Sequence, residues 1–110
     1  MSRERTGQLV LTEPLSFWGG LDPATGTIVD VHHPQYGESI KGRTVVLEGT
    51  RGSTSSTSTL VEMIRRGNGP AAIVLARPDL TVMTALQLAQ DLYGIRVPLS
   101  IEPSAIPRSG

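Results

Sequence analysis

Nine residues concentrate this chain's capacity for chemistry: Arg51-Gly52-Ser53-Thr54-Ser55-Ser56-Thr57-Ser58-Thr59. A glycine turn followed by hydroxyls at a helix start gathers backbone N–H donors and side-chain oxygens at one point. Such a point can hold an anion, or set one hydroxyl against a reacting atom. One or two hydroxyls are enough to cap a helix, an effect of about 1 kcal/mol. Thr59-x-x-Glu62 matches a capping box. Six consecutive hydroxyl residues after Ser53 exceed that need. No Gly-Lys-Ser/Thr follows, so the loop is not a nucleotide-phosphate loop of the Walker type. The carboxylate or phosphate of a small metabolite fits it better, with Arg51 as a charged clamp.

The other chemistry-bearing residues are sparser. His32 and His33 are the only histidines, cysteine is absent, and the carboxylates are scattered, so no metal site is expected. Asp30, His32 and His33 read better as a hydrogen-bonded strand end near a ligand or partner. No Gly-x-Ser-x-Gly elbow announces a serine hydrolase. Phe17 and Trp18 are two of four aromatic residues. They are candidates for core packing or, since tryptophan often anchors interfaces, for a docking surface.

The elements that must position these residues fall into two textures. Gln8 to Leu11 reads as a strand, Leu15 to Trp18 as an apolar patch closed by Gly19-Gly20, Asp22 to Gly26 as a turn, and Thr27 to Val31 as another strand. His32 to Gly37 follows as a loop. Short strands between glycine and proline turns suggest a small β-barrel or sandwich. Beyond Lys41, Thr44 to Leu47 is a strand and Ser56 to Arg66 a helix, with Gly67 just past its end. Ala71 to Leu75 is a continuous apolar strand, expected to be covered on both faces. In the helix Thr81 to Tyr93, Val82, Ala85, Leu86 and Ala89 follow helical spacing and Gly94 ends it. Arg96 to Ile101 is the last strand, with Pro98 indicating an edge. The order β-α-β-α-β implies a parallel sheet, and ligands of such sheets sit at the carboxyl ends of the strands. The loop 49–54 lies at such an end.

Composition narrows the function classes. A chain of 110 residues, 38% hydrophobic and 18% charged, suits one globular domain. It divides into an N-terminal segment 1–7, a folded unit 8–102 and a tail 103–110. Net charge is zero, against a nucleic-acid module. Lys41 is the only lysine among ten basic residues. No apolar run approaches the roughly 20 residues of a membrane span, and no signal-type core follows Met1 to Arg5, so the cytoplasm is the expected location. The balanced surface leaves room for a protein partner.

Several strings together resemble one family. Thr27-Ile28-Val29-Asp30-Val31-His32-His33-Pro34, Gly37-Glu38-Ser39-Ile40-Lys41-Gly42-Arg43, and Arg51-Gly52-Ser53 with its hydroxyl tail are similar to the small subunit of the aconitase X family. Glu62, the stretch Gly67 to Ile73 and Leu92-Tyr93-Gly94-Ile95 extend the likeness, which covers residues 8–101 in order. The resemblance implies a swivelling β/β/α domain of the α/β class: a small β-barrel-like part plus a parallel β-α-β-α-β unit.

It also implies half of a two-chain hydro-lyase. The cysteine-containing large subunit would carry an iron–sulfur cluster, this chain binding no cofactor alone. The cluster would act as Lewis acid on the leaving hydroxyl. By the same likeness Ser53 would be the base that removes the proton next to the carboxylate. Arg51, Gly52, Thr54, Ser55 and Ser56 would contact a small carboxylate substrate, and His32, His33 and Trp18 would meet the partner or the active site. An arginine that aconitase has shortly after this serine is replaced here by Thr54-Ser55-Ser56, so carboxylate binding by that arginine does not carry over. The His-His-Pro segment and the hydroxyl run are closer to the bacterial cis-3-hydroxy-L-proline dehydratases of the family. The alternatives are a mevalonate 5-phosphate dehydratase subunit and a non-catalytic anion-binding or assembly module.

Overall fold

The computed structural model describes residues 8–11, 17–49 and 54–103, apart from the side chains of residues 17, 18, 54 and 55. The elements run β1 (Gln8–Leu11), α1 (Phe17–Gly20), β2 (Leu21–Asp22), β3 (Thr27–Ile28), β4 (Thr44–Leu47), α2 (Thr54–Arg65), β5 (Ala72–Leu75), α3 (Leu80–Tyr93) and β6 (Leu99–Ile101). Four strands make one parallel sheet in the order β1-β4-β5-β6, and β2 and β3 make a two-stranded antiparallel ribbon.

In-register rows explain how the sheet holds its helices. Leu9, Val45, Ile73 and Leu99 lie side by side, and so do Leu11, Leu47, Leu75 and Ile101. All but Ile101 belong to or pack against one core, which also takes Leu60, Val61, Met63 and Ile64 from α2 and Val82, Ala85, Leu86 and Ala89 from α3. Because the strand order steps in one direction, both crossovers put their helices on the same face. Leu60, Leu47 and Leu75 are wholly buried, each stabilising the fold by about 2 kcal/mol by removal from water.

Several boundaries differ from those the sequence suggests. β1, expected among the short strands of the first third, instead pairs with β4 and extends the parallel sheet. Among the described residues the first third closes no barrel; it contributes that strand, one helical turn and the ribbon. The second half of the Leu15 to Trp18 patch begins this turn, Phe17–Gly20. The strand expected through Val31 stops at Ile28, because Asp30 turns the chain: its carboxylate accepts the His32 N–H at 2.9 Å and its carbonyl the His33 N–H at 3.0 Å. β5 is not sealed on both faces, since Ala72 and Val74 alternate as half-buried residues with buried Ile73 and Leu75. β6 does form an edge of the described sheet, and Pro98 leads into it.

The hydroxyl run is already helical. α2 begins at Thr54, so Thr59 lies inside the helix and is not the cap expected of it. Glu62 turns to Arg65 (2.6 Å) and Arg66 (2.7 Å). Their hydrogen bonds, Arg65 first and then Arg66, lower the Glu62 pKa to about 2. Serine and threonine are indifferent helix formers. Packing overrides that preference, with buried Ser56 continuing the stripe of Leu60, Met63 and Ile64. Past the helix, Gly67 at φ 81° donates to the Ile64 carbonyl and Asn68 to that of Met63. That paired closure is available to glycine because it has no Cβ. α3 is framed more simply: Asp79 caps its start by accepting the Val82 N–H at 3.1 Å, and Gly94 closes its end.

Arg43 ties the first third to the sheet. Its guanidinium reaches Glu38 at 3.0 Å, the Ser39 carbonyl at 3.3 Å and the Gln8 carbonyl at 3.3 Å. The segment Gly37 to Arg43 therefore does structural work at the amino end of the sheet.

Candidate functional site

The carboxyl ends of β4 and β5 are one strand spacing apart, in register Leu47 beside Leu75. Two stretches leave the sheet there: Glu48-Gly49, which leads to the hydroxyl loop, and Ala76 to Asp79, which leads to α3. Helix α2 starts from the far side of that loop at Thr54 and runs back toward the amino end. Its first N–H groups have no intrahelical acceptor and carry a partial positive charge.

Arg51, Gly52 and Ser53 lie outside the described residues, as do the side chains of Thr54, Ser55 and Trp18. The backbone of Thr54 and Ser55 forms the first turn of α2. Ser56 is wholly buried within the core side of that turn. Thr57 is half-buried, and its hydroxyl donates to the Thr81 carbonyl at 3.5 Å, joining the first turns of the two helices. Part of the hydroxyl surplus thus goes into packing α2 against α3. The sequence signal for this was the helical spacing of Ser56 to Leu60 and Ile64, overshadowed by the run's composition.

The two histidines separate. His32 is exposed in the turn after β3. His33 is 5% exposed, and its Nδ1 accepts the Gln35 N–H at 3.0 Å, so this ring organises its own loop. Among the described residues no three of His, Cys, Asp and Glu come together as metal ligands, and the sequence has no cysteine. No described helix is long and apolar enough to cross a membrane.

Sequence reasoning passed over two side chains that stand beside the loop. Arg77 Nη1 donates to Glu48 Oε2 at 2.6 Å. A Cβ built on Gly49 would stand 3.2 Å from Asp79 Oδ2 and 3.5 Å from Arg77 Nη2. The root of the loop is therefore flanked by an arginine and two carboxylates. Both α2 and β5 lie between Glu48 and Arg77, so no local motif signals the pair. Open grooves of about 350 Å³ along Met83, Leu86 and Pro98 and of about 210 Å³ around Gly69 and Ile95 lie on other parts of the domain.

The described geometry makes a loop rooted between two parallel strand ends, continued by a helix start. That arrangement sets a helix start and one ion pair at the end of a parallel sheet where ligands are held. The family model of the aconitase X swivel domain matches residues 1–107. The chain is 41% identical over 86 residues to cis-3-hydroxy-L-proline dehydratase of Pseudomonas aeruginosa, covering 78% of this chain and 15% of that protein. It is 50% identical over 76 residues to the phosphomevalonate dehydratase small subunit of Methanopyrus kandleri, covering 67% of this chain and 56% of that one. It thus spans less than two thirds of these relatives' lengths. The crystal structure of Thermococcus kodakaraensis aconitase X in its holo-form superposes with a TM-score of 0.78 at 26% identity, over 93% of this chain and 75% of that one.

Proposed function

Since the chain belongs to the aconitase X swivel-domain family, we propose that it serves as the small subunit of a two-chain hydro-lyase. Its substrate is cis-3-hydroxy-L-proline, converted to pyrroline-2-carboxylate and water. The observation that carries this reading is the placement of the loop's two ends. Gly49 leaves the carboxyl end of β4 and Thr54 opens α2, and this is the end of a parallel sheet where ligands are held; the reading assigns the active-site role to Arg51-Gly52-Ser53, which the sequence sets between them.

Dehydration breaks the C–H bond on the carbon bearing the carboxylate. The electron pair forms a carbon–carbon double bond, and the hydroxyl leaves from the neighbouring carbon as hydroxide, which together with the abstracted proton makes up the water released. Ser53 takes the proton. A serine hydroxyl is a weak base at its ordinary pKa, so it needs positive charge and N–H donors around its oxygen. The start of α2, with its partial positive charge, and the guanidinium of Arg51 are the groups this chain offers. The remaining loop residues, Gly52, Thr54 and Ser55, contact the substrate.

This chain has no thiolate to ligate an iron–sulfur cluster. We place the cluster on a cysteine-containing large subunit; when bound there it supplies a Lewis acid for the departing hydroxyl. The likeness to phosphomevalonate dehydratase small subunits favours a second reading, in which the same subunit roles serve mevalonate 5-phosphate. The compartment that fits either reading is the cytoplasm.

The test is reconstitution. The purified chain is mixed with the cluster-loaded large subunit, and each substrate is supplied in turn. The chain alone should be inactive, and the complex should turn over cis-3-hydroxy-L-proline. A complex inactive on both substrates would refute the dehydratase assignment; activity on mevalonate 5-phosphate alone would replace the substrate.

A further inference from the structure

We infer that the Glu48–Arg77 pair is the receptor for a zwitterion: Arg77 takes the substrate carboxylate and Glu48 its ammonium. The inference rests on the reading of the chain as a hydroxyproline dehydratase subunit, and assigns substrate recognition to residues outside the hydroxyl run. Arg77 is the one arginine or lysine among the described residues at the carboxyl end of the sheet. The others are Lys41 and Arg43 before β4, Arg65 and Arg66 at the end of α2, and Arg96 before β6; all lie toward the amino end.

The pair is built to be reached. The Arg77 side chain is 60% exposed and that of Glu48 38% exposed, although their tips are 2.6 Å apart. The guanidinium lies beside Gly49, where the absence of a side chain leaves the approach clear. Asp79, near the same position on Gly49, is engaged in capping α3. An arginine fork matches a carboxylate with two parallel N–H donors, and a glutamate beside it matches an ammonium. Exchanging the internal pair for one substrate zwitterion leaves every charge paired before and after binding.

Charge separates this substrate class from a phosphorylated one. Glu102 joins Glu48 and Asp79 at this end, its N–H donating to the Leu75 carbonyl at 2.7 Å. Glu48, Asp79 and Glu102 thus share the end of the sheet where Arg77 is the one described cation. A substrate with a carboxylate and a phosphate would bring three or so further negative charges to that group. A single amino-acid zwitterion brings none in net.

The test measures binding and turnover on the reconstituted complex, with cis-3-hydroxy-L-proline as the calorimetric probe. Arg77→Ala should weaken binding and raise KM about 10- to 100-fold, with kcat changed far less. Glu48→Gln should raise KM about tenfold, and Arg77→Lys should recover only part of the loss. Because the pair is exposed, each variant should melt close to wild type, which separates recognition from folding. Wild-type binding that is unchanged in Arg77→Ala and Glu48→Gln overturns the inference while leaving the dehydratase reading intact. A probe that binds through both residues without turnover does the reverse. No binding of the probe by the wild type also overturns the inference.

Discussion

Replacing Gly26 by alanine should loosen the joint between the β2–β3 ribbon and the parallel sheet. Gly26 sits at φ 78°, a left-handed conformation in which a Cβ costs about 1 kcal/mol. That Cβ would also stand 2.7 Å from the Asn68 carbonyl oxygen, a backbone atom that cannot swing aside. Relief requires the ribbon turn to withdraw from the end of α2. Withdrawal weakens the two hydrogen bonds from Asn68 Nδ2 to the carbonyls of Pro23 (3.0 Å) and Ala24 (2.9 Å). At about 1 kcal/mol for each weakened bond, the expected total loss is about 2–4 kcal/mol. The fitting control is Gly37→Ala: Gly37 has φ 90° but nothing within 4 Å of its Cβ position, so only the conformational cost of about 1 kcal/mol applies. Urea unfolding of both variants, read from the midpoint at constant m-value, measures the difference. Equal losses in the two variants would refute the close approach of ribbon and helix.

Two further perturbations probe the frame around the site. Asp79→Ala removes the cap of α3 and should cost about 1 kcal/mol in chemical denaturation, with Asp79→Asn recovering most of it; an unaffected midpoint would contradict the capping role. Glu62 has a folded pKa of about 2, below the ordinary 4.5, so between those values the unfolded chain binds the extra proton. Its contribution is therefore present above pH 4.5 and lost as pH falls toward 2. The melting difference between wild type and Glu62→Gln should shrink over that window and also in high salt, since the pair is exposed. A difference that persists at pH 2 would sink the assignment.

What the sequence revealed follows the range of each signal. The second half was legible because its helices and strands carry local periodicity: Val82, Ala85, Leu86 and Ala89 mark one face of α3, and glycines mark both helix ends. The position of β1 was not, because Gln8 to Leu11 contains nothing to say that its partner lies at Thr44 to Leu47. The start of α2 was misplaced because serine and threonine propensities point to a cap, whereas burial of Ser56 and the Thr57 bond to α3 carry the helix two residues further back. At the candidate site, the hydroxyl loop stands out locally by glycine and composition. Arg77 and Glu48, 29 residues apart, meet only because β4 and β5 are adjacent and parallel.

The central claim is that Ser53 supplies the base, and its most direct test is the kcat of Ser53→Ala in the complex reconstituted with the cluster-loaded large subunit. Removing a positioned general base should lower kcat about 10²- to 10⁴-fold, while the variant still assembles with its partner and still binds cis-3-hydroxy-L-proline. A variant that assembles, binds and retains near-normal kcat would contradict the account.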